Sequence, residues 1–213
     1  MGKLKRRVMK KAAKYVLKAA KKGAGKILSA PFSDTEQKSA VTEAPGFAPK
    51  TIGSITLRAM RRSDRKEVLE MMREFYSSDA TLTGGSDEIF NRDINECLSD
   101  SPFLEGFVFA YKDADSSLWG YAMIAHSFST EFGKPCIWIE DLYLREEARG
   151  MGLASGFLSG LEETYPDCVI RLEAEYENEH AMEVYKEKGF REFPYVEMIR
   201  EETEKTSLSP EDN

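Results

Sequence analysis

Between Ile139 and Ala154 the chain reads I-E-D-L-Y-L-R-E-E-A-R-G-M-G-L-A. Two adjacent carboxylates, Glu140 and Asp141, sit in an otherwise apolar run, and a Gly-rich corner follows at Arg149-Gly150-Met151-Gly152. Each feature suggests chemistry. A carboxylate placed beside a second one can take up a proton or hold a cation. Backbone N–H groups at a helix N-terminus are unpaired and carry partial positive charge. Glycines let that backbone approach an anion closely, so the corner suits a phosphate group, with Arg149 as a fixed cation beside it. The plainer alternatives are a solvated strand end and a tight strand-to-helix turn. Gly152, Ala154, Ser155, Gly156 and Gly160 keep the following helix slim. An interior Gly costs about 1 kcal/mol relative to Ala, which implies close packing or close approach of a ligand.

The hexad Arg149-Gly150-Met151-Gly152-Leu153-Ala154 resembles the pyrophosphate motif of the GNAT superfamily of acyl-CoA-dependent N-acetyltransferases: Arg or Gln, two residues, Gly, one residue, then Gly or Ala. A second family feature is an Asn after the next strand, a Tyr seven residues on, and a Gly-aromatic pair closing the helix. Asn178, Tyr185 and Gly189-Phe190 match it. The resemblance covers roughly residues 55–200 and implies acetyl-CoA as co-substrate. The hexad and Asn178 would then contact the cofactor, and Leu142, Tyr143 and Leu144 would pair with its pantetheine arm. The Glu140-Asp141 pair is similar to one in the diamine (spermidine/spermine) acetyltransferase branch, which implies Glu140 as base and Asp141 near the amine.

On that reading the acceptor is a primary amine, protonated at neutral pH with a pKa of about 10.4, that must lose a proton before attacking a thioester. Glu140 is the expected base, directly or through a water, with Asp141 raising its proton affinity by like-charge repulsion. Backbone N–H groups near Leu142 and Leu144 would face the oxyanion if a bulge frees them. The leaving thiol has a pKa of about 8.5 against about 10 for Tyr185, so full proton transfer is about 2 kcal/mol uphill. Tyr185 would therefore stabilise the thiolate mainly by hydrogen bonding. Its alternative is a core aromatic on the buried helix face.

These residues need a scaffold. Ile55, Leu57 and Ala59 alternate as a short strand, and Ser63 or Asp64 can cap a helix burying Val68, Leu69, Met72 and Phe75 or Tyr76. A second helix spans 86–98. Two alternating runs, Phe107 to Tyr111 and Trp119 to Ala125, suggest a hairpin, and 136–144 forms a third, more apolar strand. A helix over 150–165, a strand over 169–175, a helix from Asn178 to Gly189 and a final strand or pair of strands over 190–200 complete the pattern. The expected fold is α/β, a mixed sheet of about six to seven strands flanked by about four helices.

Composition sets the boundaries. The chain has 213 residues, 41% hydrophobic and 31% charged. Residues 1–33 hold eleven Lys or Arg and no Asp or Glu, leaving residues 34–213 with 19 basic and 37 acidic residues, a balance of −18. The expected organisation is a basic amphipathic helix over 1–28, a flexible linker over 29–54, the catalytic domain over 55–201 and a disordered tail over 202–213. An acidic domain repels nucleic acid and attracts cations. Its expected partner is a small cationic amine or a basic peptide. Residues 3–28 suit an anionic membrane surface, ahead of nucleic acid. The expected location is the cytoplasm, with the helix able to hold the domain at a membrane; a homodimer is compatible with the sequence. Cys97, Cys136 and Cys168 are odd in number and widely spaced, which suggests reduced thiols, and with only His126 and His180 no metal site is expected. Both histidines read as structural or solvated. Competing functions are a protein N-terminal or lysine acetyltransferase, and a non-enzymatic acyl-CoA-binding module.

Overall fold

The computed structural model describes residues 47–78, 81, 84–111, 117–196 and 198–200. The expected helix over 1–28, most of the linker and the tail over 202–213 lie outside them. Six strands form one sheet in chain order: β1 (Lys50–Ile52), β2 (Ile55–Ala59), β3 (Leu104–Tyr111), β4 (Leu118–Ser129), β5 (Lys134–Leu144) and β6 (Val169–Leu172). Neighbours pair antiparallel up to β5, and β5 pairs with β6 in parallel. Among the described residues four α-helices flank the sheet: α1 (Arg65–Tyr76), α2 (Asp87–Cys97), α3 (Leu153–Thr164) and α4 (Glu179–Glu187).

The sheet is buried on both faces, which is why its central strands are apolar at consecutive positions. On one face Leu57, Phe107, Phe109, Ile124, Ile137 and Ile139 pack against Leu153, Phe157, Leu158 and Leu161 of α3. On the other, Val108, Tyr121 and Met123 meet Val68, Met71 and Met72 of α1 and Phe90 and Ile94 of α2. Val184 and Tyr185 of α4 pack at the margin of the first core.

Three sequence expectations need correction. The fold begins before residue 55: β1 pairs with β2, and Phe47 is buried against Phe107, with ring centroids 4.9 Å apart. The Pro-bearing composition around Pro45 and Pro49 hid one aromatic anchor and three strand residues. Asp64 does not cap α1. Its carboxylate accepts from both terminal nitrogens of Arg58, at 2.7 and 2.9 Å, and from the Arg61 backbone N–H at 2.7 Å, because a buried carboxylate is better served by a guanidinium fork than by one amide. Finally, no strand forms over 190–200 among the described residues. Phe193 is held against Arg171, and Pro194 has no N–H to give a ladder.

Candidate active site

The site is made where β5 leaves β6. Their pairing runs only from Cys136 opposite Val169 to Ile139 opposite Leu172. Past Ile139, β5 continues alone on that side, so its backbone groups up to Leu144 face a gap. On its other side β5 carries a bulge: Ile139 pairs with Ile124 and Asp141 with Met123, leaving Glu140 outside the register. The extra residue is the kind of irregularity that re-aims side chains and releases backbone groups next to an active site.

A cavity of about 330 Å³ occupies the mouth of the gap. From β5 it is lined by Leu142, Tyr143 and Leu144, and from the corner by Arg149, Gly150, Gly152, Leu153 and Ala154. Asn178 and Tyr185 close it from α4. Ten expected site residues thus meet in one place. Met151 does not: its side chain is 45% exposed and is not part of the lining. Glu140 and Asp141 sit on the stretch of β5 just before the lining residues.

The corner has the geometry an anion needs. Gly150 and Gly152 both have positive φ, 73° and 74°, which L side chains avoid, and a Cβ at either would meet nothing within 4 Å. Glycine is therefore required by backbone conformation, and the space in front is open. α3 starts at Leu153 with Gly152 as its N-cap, later than the expected start at Gly150. The Nε of Arg149 donates to the Leu144 carbonyl at 3.1 Å, which fixes the guanidinium at the mouth. These features fit the pyrophosphate of a coenzyme A thioester. Gly156 and Gly160 serve something else. A Cβ there would lie 2.1 Å from Ile52 Cδ1 and 2.6 Å from the Phe47 ring, so these glycines seat β1 and Phe47 against the helix.

Asn178 caps α4, its Oδ1 accepting from the Ala181 N–H at 3.3 Å. Tyr185, seven residues on, packs on Phe190, and its hydroxyl makes no hydrogen bond among the described residues. Burial pushes its pKa up, so it remains a phenol. Against a thiolate it is a hydrogen-bond donor rather than a full acid.

The two carboxylates have separate environments. Glu140 is exposed, while Asp141 is buried, 4% exposed. The hydroxyls of Tyr76 and Tyr121 donate to Asp141 Oδ1 and Oδ2 at 2.9 and 3.0 Å. Burial raises the Asp141 pKa to about 6 against the pull of the two hydroxyls, with Asp93 and Glu140 adding repulsion. Asp93 of α2 is a member of this acidic group that no sequence pattern indicated; burial raises its pKa too. The Cys97 thiol nearby is pushed up to about 12, first by burial and then by Asp93 and Asp141. Cys136 and Cys168 are also raised by burial. None of the three is poised as a thiolate nucleophile.

Six lining residues escaped the sequence reading as site residues. Phe75 comes from the end of α1 and Ser78 from just after it, Ser155 from the first turn of α3, and His180, Ala181 and Val184 from α4. His180 is exposed, as expected, yet borders the cavity. Its place two residues after the capping Asn178 was the available signal. His126 lies elsewhere, its Nε2 2.8 Å from Glu105 Oε1, and is structural. Among the described residues no group of three His, Cys, Asp or Glu could hold a metal ion.

A splayed sheet, a bulged central strand and a glycine corner at a helix N-terminus define an acyl-CoA-binding α/β domain. Residues 66–190 match the acetyltransferase (GNAT) family, and the chain belongs to that family. It is an acyl-CoA-dependent N-acetyltransferase. A thialysine N-epsilon-acetyltransferase from Sus scrofa is 26% identical over 156 residues, covering 68% of this chain and 89% of that protein. Among solved structures, a possible acetyltransferase from Clostridium difficile 630 superposes with a TM-score of 0.57 at 18% identity, covering 69% of this chain and 97% of that one. The aminoglycoside N-acetyltransferase AAC(6')-Iy in complex with CoA gives 0.56 at 18% identity, covering 70% and 95%. A protein from Clostridium acetobutylicum, solved with acetyl-CoA, gives 0.55 at 19% identity, covering 68% and 96%.

Proposed function

We propose that the chain transfers an acetyl group from acetyl-CoA to a small cationic primary amine, by direct attack within a ternary complex. The observation that carries this reading is the grouping of Glu140 and Asp93 around buried Asp141, on the stretch of β5 next to a cavity that Tyr185 also lines. The carboxylates draw an ammonium toward β5. Glu140, set out of register by the bulge, takes the proton that leaves the attacking nitrogen. Acetyl-CoA supplies the activated acyl thioester. Tyr185 holds the departing sulfur by a hydrogen bond. The raised pKa values of all three cysteines support direct attack over an acyl-cysteine route. The N-epsilon specificity in the name of the pig relative and the aminoglycoside acceptors of AAC(6') are compatible with a small amine.

An acceptor panel with acetyl-CoA, followed by thiol release, tests the proposal. Polyamines and ε-amino compounds are expected to outpace basic peptides. Glu140→Gln should lower kcat/KM by about 10²- to 10⁴-fold, most severely at low pH where free amine is scarce. Tyr185→Phe should reduce kcat with CoA affinity unchanged. Normal turnover in both variants with the best acceptor would remove these residues from the mechanism.

A further inference from the structure

The coenzyme cavity has a polar end and an aromatic end. At the polar end Arg149 donates to the Leu144 carbonyl, and the glycine corner opens beside it. Away from that end β5 runs back through Tyr143 and Leu142 to Asp141. The end of α1 crosses there. The Phe75 ring lies 5.8 Å from the Tyr143 ring, and the Tyr76 hydroxyl reaches Asp141. Phe75 and Tyr143 both line the cavity.

Both rings are braced from behind. Phe75 meets Tyr76 edge-on, with centroids 5.2 Å apart, and Tyr76 is backed by Phe90 of α2 at 5.0 Å. Tyr143 lies 6.0 Å from Tyr121, and its hydroxyl donates to Glu74 Oε2 at 2.8 Å. Burial, then Glu74, pushes the Tyr143 pKa up to about 12, so the hydroxyl keeps its proton and the tie holds. Rings packed on one another make a stiff apolar surface. Neither the pyrophosphate nor the proton transfer makes use of this one.

A thioester whose pyrophosphate sits at the corner extends along β5 toward Glu140, so its acyl group arrives at this pair of rings. We propose that Phe75 and Tyr143 form a wall that limits the transferred acyl group to acetyl, an inference that rests on reading the cavity as the coenzyme site. Further methylenes would have to displace a ring that close packing holds in place. An open apolar site would do the opposite and gain affinity with each methylene it buries. Glu74 is a positioning residue in this arrangement. It is exposed and outside the cavity lining, and it acts by holding the Tyr143 ring.

Calorimetry on the full chain with acetyl-, butyryl- and hexanoyl-CoA tests the wall. Wild type is expected to bind butyryl-CoA at least about tenfold more weakly than acetyl-CoA, and hexanoyl-CoA more weakly still. In Phe75→Ala the order should reverse, the longer chains binding more tightly. Phe75→Leu keeps more of the packing on α1 and should narrow the gap, so the test stands even where the alanine variant fails to fold. Glu74→Ala should narrow the gap by about threefold or more through the freed Tyr143 ring. Far-UV spectra and cooperative unfolding identify the folded variants. Wild type binding butyryl-CoA as tightly as acetyl-CoA overturns the proposal, and so does a gap unchanged in the folded Phe75 variants. A gap unchanged in Glu74→Ala overturns the part given to Glu74 and Tyr143. These affinities need no acceptor, so a failed length preference leaves acetyl transfer to an amine standing. A chain that binds none of the three thioesters overturns the coenzyme reading and this proposal together.

Discussion

At the scale of single residues, the carboxylate pair on β5 does two jobs that its sequence cannot separate. Glu140 and Asp141 are chain neighbours, but the bulge and the pleat turn one outward and bury the other under Tyr76 and Tyr121. Those tyrosines lie 65 and 20 residues away in the chain, so no local pattern announces them. Asp141 ties α1 and β4 to the bulge and thereby sets the position of Glu140. The consequence for stability is testable. The free side chain ionises near 3.8 and the folded one near 6, so between these values the fold keeps a proton that the unfolded chain has released. Stability from the protonated form is full below the lower value and is lost as the pH rises through the upper one. Denaturant midpoints measured from about pH 4 to about pH 8 should show the wild type losing up to about 3 kcal/mol relative to Asp141→Asn. Parallel curves would mean that Asp141 ionises as if exposed. The groups facing it from the packed elements, Tyr76, Tyr121, Asp93 and Glu140, are the same in both proteins.

At the scale of elements, α3 shows how one sequence feature can hold two structural causes. Its glycines read as a single demand for a slim helix, and the structure divides them. Gly150 and Gly152 answer to backbone conformation at an open anion site, whereas Gly156 and Gly160 answer to Ile52 and Phe47. Gly152→Asp should cut CoA affinity at least about a hundredfold by putting charge where phosphate belongs, at a local strain of about 1–2 kcal/mol. Gly160→Val should do the reverse: it should destabilise the fold by about 1–3 kcal/mol through overpacking against Phe47 and leave CoA affinity unchanged. Calorimetry and thermal unfolding of the two variants would show crossed effects. Loss of CoA binding in folded Gly160→Val would break the division. The elements around the site were legible because periodicity and caps are local: Ser86 caps α2 and Asn178 caps α4, as their sequences indicate. β1 and the stretch after α4 were not legible, because the first depends on a distant helix face and the second on contacts of Phe193 with Arg171 and of Tyr195 with Glu131. The cavity residues at the end of α1 and just after it, Phe75 and Ser78, were hidden for the same reason.

For the whole molecule, the unequal charge of its two parts and the position of Phe47 together decide where the chain can be cut. Residues 3–28 carry the lysines expected to meet an anionic membrane, each contributing on the order of 1 kcal/mol near such a surface. Among the described residues no helix is long and apolar enough to cross a membrane. The sequence suggested a flexible linker up to residue 54, but Phe47 is 8% exposed and β1 pairs with β2. A version starting at Gly53 would lose both. Removing a buried Phe costs about 3–5 kcal/mol on its own, and the gap beside Gly156 and Gly160 would add to it. A version starting at Ala44 keeps these contacts. It is expected to match the full chain in unfolding temperature and in turnover with the best acceptor, while the Gly53 version unfolds at a markedly lower temperature. Only the full chain should sediment with anionic vesicles, and added salt should release it, since the attraction is largely screened beyond about 10 Å at 0.1 M. If the full chain ignores vesicles at low salt but retards duplex DNA or RNA, the basic segment serves nucleic acid instead. If the Ala44 version binds vesicles as well as the full chain does, the membrane contact belongs to the acetyltransferase domain and the charge of residues 3–28 requires another explanation.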